Sequence, residues 1–197
     1  YNAKGIGGFE IVPIYVDEAG GAQKQLAEYR RIVERDKVDV VIGYNSSADC
    51  NALGPVAEEM QKITVFFYCG HSQMFEEVLT APVYSFRTAP PGTIDSIAAA
   101  RYILGKYPNT ATIAGINQNY SWGTDSWSEF KASMETLKPS IKATTAQFPK
   151  LGAGEYGAEI SALLANPADV IFSSFWGGDA DAFILQAKSR DLSKNSK

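Results

Sequence analysis

Six short runs rich in β-branched and aromatic residues punctuate the chain: FEIVPIYV (9–16), VDVVIG (38–43), ITVFFY (63–68), ATIAGI (111–116), IKATTAQF (141–148) and ADVIFSS (168–174). Runs of this kind between turn-forming residues read as strands. Five stretches between them place apolar residues at helical spacing: 22–36, 48–61, 93–107, 124–138 and 154–166. In the first, Leu26, Tyr29, Ile32 and Val33 fall on one face. Parallel strands need a long crossover between them, so strand alternating with helix predicts an α/β fold with parallel sheets. The unbroken run Val40, Val41, Ile42 predicts a sheet covered on both faces.

The pattern repeats. Residues 29–49 (YRRIVERDKVDVVIGYNSSAD) and 160–181 (ISALLANPADVIFSSFWGGDAD) share a helix, a short turn, Asp-Val, an apolar strand and a small polar loop opening another helix. Two similar Rossmann-like lobes follow from this, one over residues 1–90 and one over 91–197. The Pro-Pro-Gly breaker in YSFRTAPPGTIDS (84–96) is the expected crossing, although the same run also suits an ordinary strand-to-helix turn. Residues 1–8 (YNAKGIGG) read as the last turn of a helix with Gly5 past its end, and the chain finishes in a helix and polar tail without a further strand. Both ends read as incomplete lobes.

Composition narrows the function classes. With 197 residues and 45% hydrophobic side chains the chain is long enough for a substantial core. Its net charge of −4 and lack of a basic cluster give a nucleic-acid partner no electrostatic support. No apolar run reaches the ~18 residues of a membrane span. The single histidine, His71, and the absence of a C-x-x-C pair leave no sequence-evident metal site, and no cofactor motif stands out. The segment GIGGF lacks the spacing of a dinucleotide-binding loop, and no Walker lysine motif occurs, so a nucleotide-dependent Rossmann enzyme is the weakest reading.

In open parallel sheets ligands sit beyond the carboxyl ends of the strands. That singles out the loops 44–49, 68–73, 117–125 and 175–179, which are rich in hydroxyls, amides and aromatics. Ser46 and Ser47 precede a helix; a serine there serves as an N-cap, or, with the free amides and helix dipole, receives a carboxylate. Gly70 admits close backbone approach, and His71 is a donor to a carboxylate. A Cys-His nucleophilic pair lacks an orienting third group, so no enzyme is expected. Cys50 and Cys69 follow neighbouring strands, which leaves open a disulfide or two buried thiols. Tyr120, Trp122 and Trp176 either cover helix ends or form a wall against an organic ligand, with Gly123, Gly177 and Gly178 allowing tight turns.

Taken in order, ERDKVDVVIGYNSSADCNALGPVAEE, ITVFFYCGHSQMFEE, VYSFRTAPP, AGINQNYSWGTDSWSEFKASM and DVIFSSFWGGDADAFILQA resemble the periplasmic solute-binding proteins of branched-chain amino acid ABC transporters, the Leu/Ile/Val-binding type. The resemblance implies a type I periplasmic binding fold, incomplete at both ends, whose two lobes close on a small solute. It also implies delivery to a membrane ABC permease, a monomer, and a periplasmic or extracytoplasmic location with any signal peptide upstream. Ser47, with Ser46 beside it, would hold the ligand carboxylate. Cys69 and His71 fall on the family's carbonyl and threonine positions, Trp122 on its tyrosine, and Trp176 in the loop closing the other wall. The histidine and the tryptophan depart from the family pattern. They admit a larger, flatter solute such as an aromatic carboxylate beside an amino acid or an aliphatic one. The family's acidic residue for a ligand ammonium would lie beyond Lys197, and the isolated segment, without the family's first strand, is expected to be unstable. A ligand-sensing domain of a receptor or regulator is the competing reading.

Overall fold

The computed structural model describes Gly5, residues 7–194 and residues 196–197. Helix α1 (Gly21–Glu34) leads to strand β1 (Val41–Gly43), helix α2 (Ser47–Glu59), strand β2 (Thr64–Phe66), a π-helical turn (Met74–Val78) and strand β3 (Ser85–Arg87). There follow α3 (Gly92–Lys106), β4 (Thr112–Ile116), α4 (Ser121–Leu137), β5 (Lys142–Gln147), α5 (Gly157–Ala165), β6 (Val170–Phe172), α6 (Gly177–Ser189) and a 3-10 turn (Leu192–Lys194). Two parallel sheets result, ordered β1-β2-β3 and β5-β4-β6.

Every segment of helical period is a helix, and five of the six apolar runs hold a strand. The exception is 9–16. No strand forms there among the described residues, and Phe9, Val12 and Tyr15 are exposed. Composition alone does not make a strand: the backbone must continue a ladder over several residues, and among the described residues 9–16 show a single bridge, at Phe9, while β1 pairs with β2. The helix-end reading of the N-terminus falls on residues 1–4, outside the described residues.

In the first lobe α1 and α2 pack on one face of the sheet. Tyr29 and Ile32 of α1 and Leu53, Val56 and Ala57 of α2 meet Val41 and Phe66 of the strands. The buried Tyr29 hydroxyl lies 2.6 Å from Thr64 Oγ1, which satisfies both groups away from water. The opposite face is open. Ile42, Val65 and Phe86 are register neighbours across the three strands, and Ile42 is 72% and Phe86 51% exposed. Coverage of both faces, expected from the run 40–42, therefore fails for this sheet. Its physical reason is the route of the chain, because α3, the helix after β3, packs against α4 over the second sheet.

That second sheet is covered on both sides. Along β4, Ile113 packs with Ala100, Phe130 and Met134, while Ala114 and Ile116 face Tyr156, Ile160 and Leu163. The period of two along a strand divides one buried run between two cores. The chain passes from one sheet to the other between Arg87 and Gly92. Pro91, held at φ −67° and ψ 145°, is the N-cap of α3, and the proline pair fixes an extended entry to that helix. Among the described residues no helix is long and apolar enough to cross a membrane.

Candidate functional site

A cavity of about 330 Å³ opens where the carboxyl ends of the two sheets face each other, lined by Asn45, Ser47, Tyr68, Gly70, Tyr120, Trp122, Ser174, Phe175 and Trp176. The internal repeat explains its two walls. The loop after β1 contributes residues 45–47, and the corresponding loop after β6 contributes 174–176. Each loop opens a helix whose third residue is a buried aspartate, Asp49 in α2 and Asp179 in α6. Asp179 Oδ2 accepts bonds from Gln118 Nε2 and the Gly152 amide, both at 2.8 Å.

Three helices, α2, α4 and α6, begin at the cavity with N-caps Ser46, Tyr120 and Trp176. None of the three caps bonds its own helix through its side chain. First-turn amides without intrahelical partners, together with the helix dipoles, make the region attractive to an anion. The Ser47 hydroxyl has no hydrogen-bond partner within the described residues and lines the same space. No charged side chain belongs to the lining among those residues.

The far wall is tied together by the two indoles. Trp176 Nε1 donates to Tyr120 Oη at 2.7 Å, and Trp122 Nε1 donates to the Ser174 carbonyl at 3.2 Å. The Ser174 amide and hydroxyl both donate to Asn117 Oδ1, each at 2.8 Å. Trp122 also reaches the first lobe. A Cβ on Gly70 would lie 3.3 Å from its ring and one on Gly92, at the start of α3, 2.9 Å, so the indole packs closely against both glycines.

The structure brings Ser47, Gly70, Tyr120, Trp122 and Trp176 to the cavity and leaves Ser46, Cys69 and His71 outside its lining. The loop after β2 alternates direction. Tyr68 and Gly70 face the cavity, while Cys69 and His71 are fully buried. Cys69 is bonded to Cys50, with the Cα atoms 6.1 Å apart, which resolves the open alternative in favour of a disulfide. His71 Nε2 lies 2.6 Å from Asn51 Oδ1. Because Asn51 Nδ2 donates to Gln73 Oε1, its Oδ1 is the acceptor and His71 carries its proton on Nε2. Burial, helped by the Arg87 charge, holds the imidazole down at about 4, so it is neutral at neutral pH. His71 therefore serves the loop and not a carboxylate in the cavity. Arg87 Nη1 holds the same loop by donating to the carbonyls of Cys69 and His71 at 3.1 and 2.9 Å.

Asn45, Tyr68 and Phe175, which lie in the loops singled out from the sequence but were not named there as site residues, and Ser174, just before the last loop, also line the cavity. For Tyr68 the signal was available: with Cys69 turned inward to a partner on α2, an extended chain turns residues 68 and 70 outward. Tyr44 starts the neighbouring loop, immediately before Asn45. It is buried with φ 103°, a left-handed conformation rare for a bulky residue, at the point where β1 gives way to Asn45.

Beneath the cavity the lobes meet through polar groups. Ser72 Oγ donates to Glu129 Oε1 at 2.6 Å, and Thr93 Oγ1 donates to the same oxygen at 2.9 Å. One turn earlier on α4, Asp125 Oδ2 is buried without a hydrogen-bond partner among the described residues. Burial first, then Glu129 and Glu77, push this carboxyl up to about 6. Since its folded value lies above its unfolded one, folding favours the protonated form; the favourable contribution is complete below about 4 and lost as pH rises through 6. Asp125→Asn is expected to raise the melting temperature at pH 7.5, with the gain vanishing by pH 4, as read by thermal melts of both proteins across that range.

A pair of parallel α/β lobes with a cleft at their strand ends defines a type I periplasmic binding fold, the architecture of ABC-transporter solute-binding proteins. The chain belongs to the periplasmic binding protein family, whose model matches residues 1–196. Its fold is similar to a solute-binding protein of an ABC transporter from Rhodopseudomonas palustris HaA2 solved with p-hydroxybenzoic acid, at 20% identity over 93% of this chain and 49% of that one, TM-score 0.82. A second R. palustris solute-binding protein, solved with benzoate, matches at 20% identity over 95% of this chain and 51% of that one, TM-score 0.84. A leucine-binding protein from Thermotoga maritima MSB8 matches at 18% identity over 90% of this chain and 49% of that one, TM-score 0.75. The chain thus spans about half the length of these solved proteins. No curated protein sequence matches it.

Proposed function

We propose that the protein is the solute-binding component of an ABC importer and that its cleft takes a small aromatic carboxylate. The observation that carries this reading is the lining itself: five aromatic side chains, Tyr68, Tyr120, Trp122, Phe175 and Trp176, around helix N-termini. A benzoate-like acid needs only donors for its anion and flat apolar surface for its ring. The volume of about 330 Å³ suits a single-ring solute. Structural neighbours solved with benzoate and p-hydroxybenzoic acid support the choice, and the leucine-binding neighbour marks the alternative that the test must separate.

Binding works by closure: a ligand shifts the open and closed populations only through better contacts in the closed form. The loaded protein would then deliver its solute to a membrane permease on the extracytoplasmic side, where a disulfide such as Cys50–Cys69 persists.

Ser47 is the test position in the first wall. Removing one donor to a charged ligand costs about 1.5–3 kcal/mol, so Ser47→Ala is expected to weaken benzoate binding roughly 10- to 100-fold in calorimetric titration. Unchanged affinity in a folded variant would remove the carboxylate from this wall.

A further inference from the structure

The second wall has a hydrogen-bond polarity fixed by its own partners. The Ser174 amide is a donor by chemistry, so the Asn117 atom it contacts is Oδ1, and the amide orientation of Asn117 is fixed by that bond. The Ser174 hydroxyl lies 2.8 Å from the same oxygen and must donate to it, which uses its only proton. With its proton spent, the Ser174 hydroxyl has only lone pairs left to offer, and Ser174 lines the cavity, so toward a solute it is an acceptor. Tyr120 is the mirror case. An indole N–H only donates, so Tyr120 Oη is the acceptor in its 2.7 Å bond from Trp176, and its own proton remains free for the cavity. The Trp122 bond to the Ser174 carbonyl holds the serine backbone in place, so the polarity is built into the wall before any solute arrives.

We infer that Ser174 and Tyr120 form a subsite selecting a ring substituent that both donates and accepts a hydrogen bond, so that hydroxylated aromatic carboxylates are preferred over unsubstituted or methylated ones. This inference rests on the reading of the cleft as an aromatic carboxylate site. A phenolic hydroxyl satisfies both groups, donating to Ser174 Oγ and accepting from Tyr120. An amino group satisfies the serine and poorly accepts from the tyrosine. A methyl group fills the same space and leaves both unpaired, and buried groups left unpaired are what generate discrimination between similar solutes.

The test is a calorimetric series of 3- and 4-substituted benzoates carrying hydroxyl, amino, methyl or fluorine, groups of similar size, against the protein and its Ser174→Ala and Tyr120→Phe variants. At one ring position the hydroxyl compound is expected to bind roughly tenfold or more tightly than the methyl one, with the amino compound between them. Ser174→Ala should bring the hydroxyl-to-methyl ratio to within about threefold of unity, and Tyr120→Phe should shrink the hydroxyl-to-amino ratio. Circular dichroism establishes that the variants fold; the series on the unmodified protein decides the matter should one of them not. Equal binding of all substituents, or a preference for methyl or fluorine, overturns the subsite and leaves the aromatic carboxylate reading standing. Binding of none of the series, nor of benzoate, overturns both.

Discussion

Gly123→Ala is expected to cost about 3 kcal/mol or more of stability and to remove solute binding with it. Gly123 is the third residue of α4, between Trp122 and Thr124. A Cβ at this position would overlap the carbonyl oxygen of Gln118 and lie 2.8 Å from its amide nitrogen. Both are backbone atoms, and the Tyr120 amide already bonds that same carbonyl at 2.9 Å, so the turn cannot yield without moving Tyr120. Overpacking against a flexible side chain relaxes; overpacking against a tight turn displaces the turn. The variant should melt roughly 6–12 °C lower, and the hydrogen bond from Trp176 to Tyr120 that ties the wall should be lost. A variant with the parent's melting temperature and affinity would show that the start of α4 adapts freely.

Reducing the Cys50–Cys69 disulfide is expected to cost about 3 kcal/mol, the loop-closure entropy for partners 19 residues apart. The bond joins the first turn of α2 to the loop after β2, the two segments that bring Ser47, Tyr68 and Gly70 to one wall. Loss of stability and loss of affinity should therefore appear together in Cys50→Ser or in the reduced protein. The check is a pair of melts and titrations with and without reductant. A stability loss without any change in affinity would mean that Arg87 and the His71–Asn51 bond hold the loop unaided.

Much of this fold was legible in the chain, because each lobe is written in the two strongest local signals. Helical periodicity marked 22–36 and 124–138, and β-branched runs marked 38–43 and 111–116. Where pairing decides, the local signal failed: residues 9–16 have strand composition and no strand ladder among the described residues, and Ile42 and Phe86 are as apolar as core residues yet open to solvent. The cavity loops were legible from the rule that ligands gather at strand ends. Individual residues within them were harder. Cys69 and His71 carry the most chemical residue types in their loop, and both turn inward, whereas the plainer Tyr68 and Gly70 face the cavity. Ser174 was invisible for a different reason. Its role comes from Asn117 and Trp122, residues 57 and 52 positions away in sequence, and only the folded sheet brings them together.

The account centres on an anionic, flat solute held between the two walls, and the direct measurement is a calorimetric comparison of benzoate with benzamide, near-isosteric compounds that differ in charge. With leucine as a third titrant, the predicted result is one-to-one binding of benzoate, at least tenfold weaker binding of benzamide, and no competition by leucine. Equal affinity for the acid and the amide, or binding of leucine in preference to both, would contradict it.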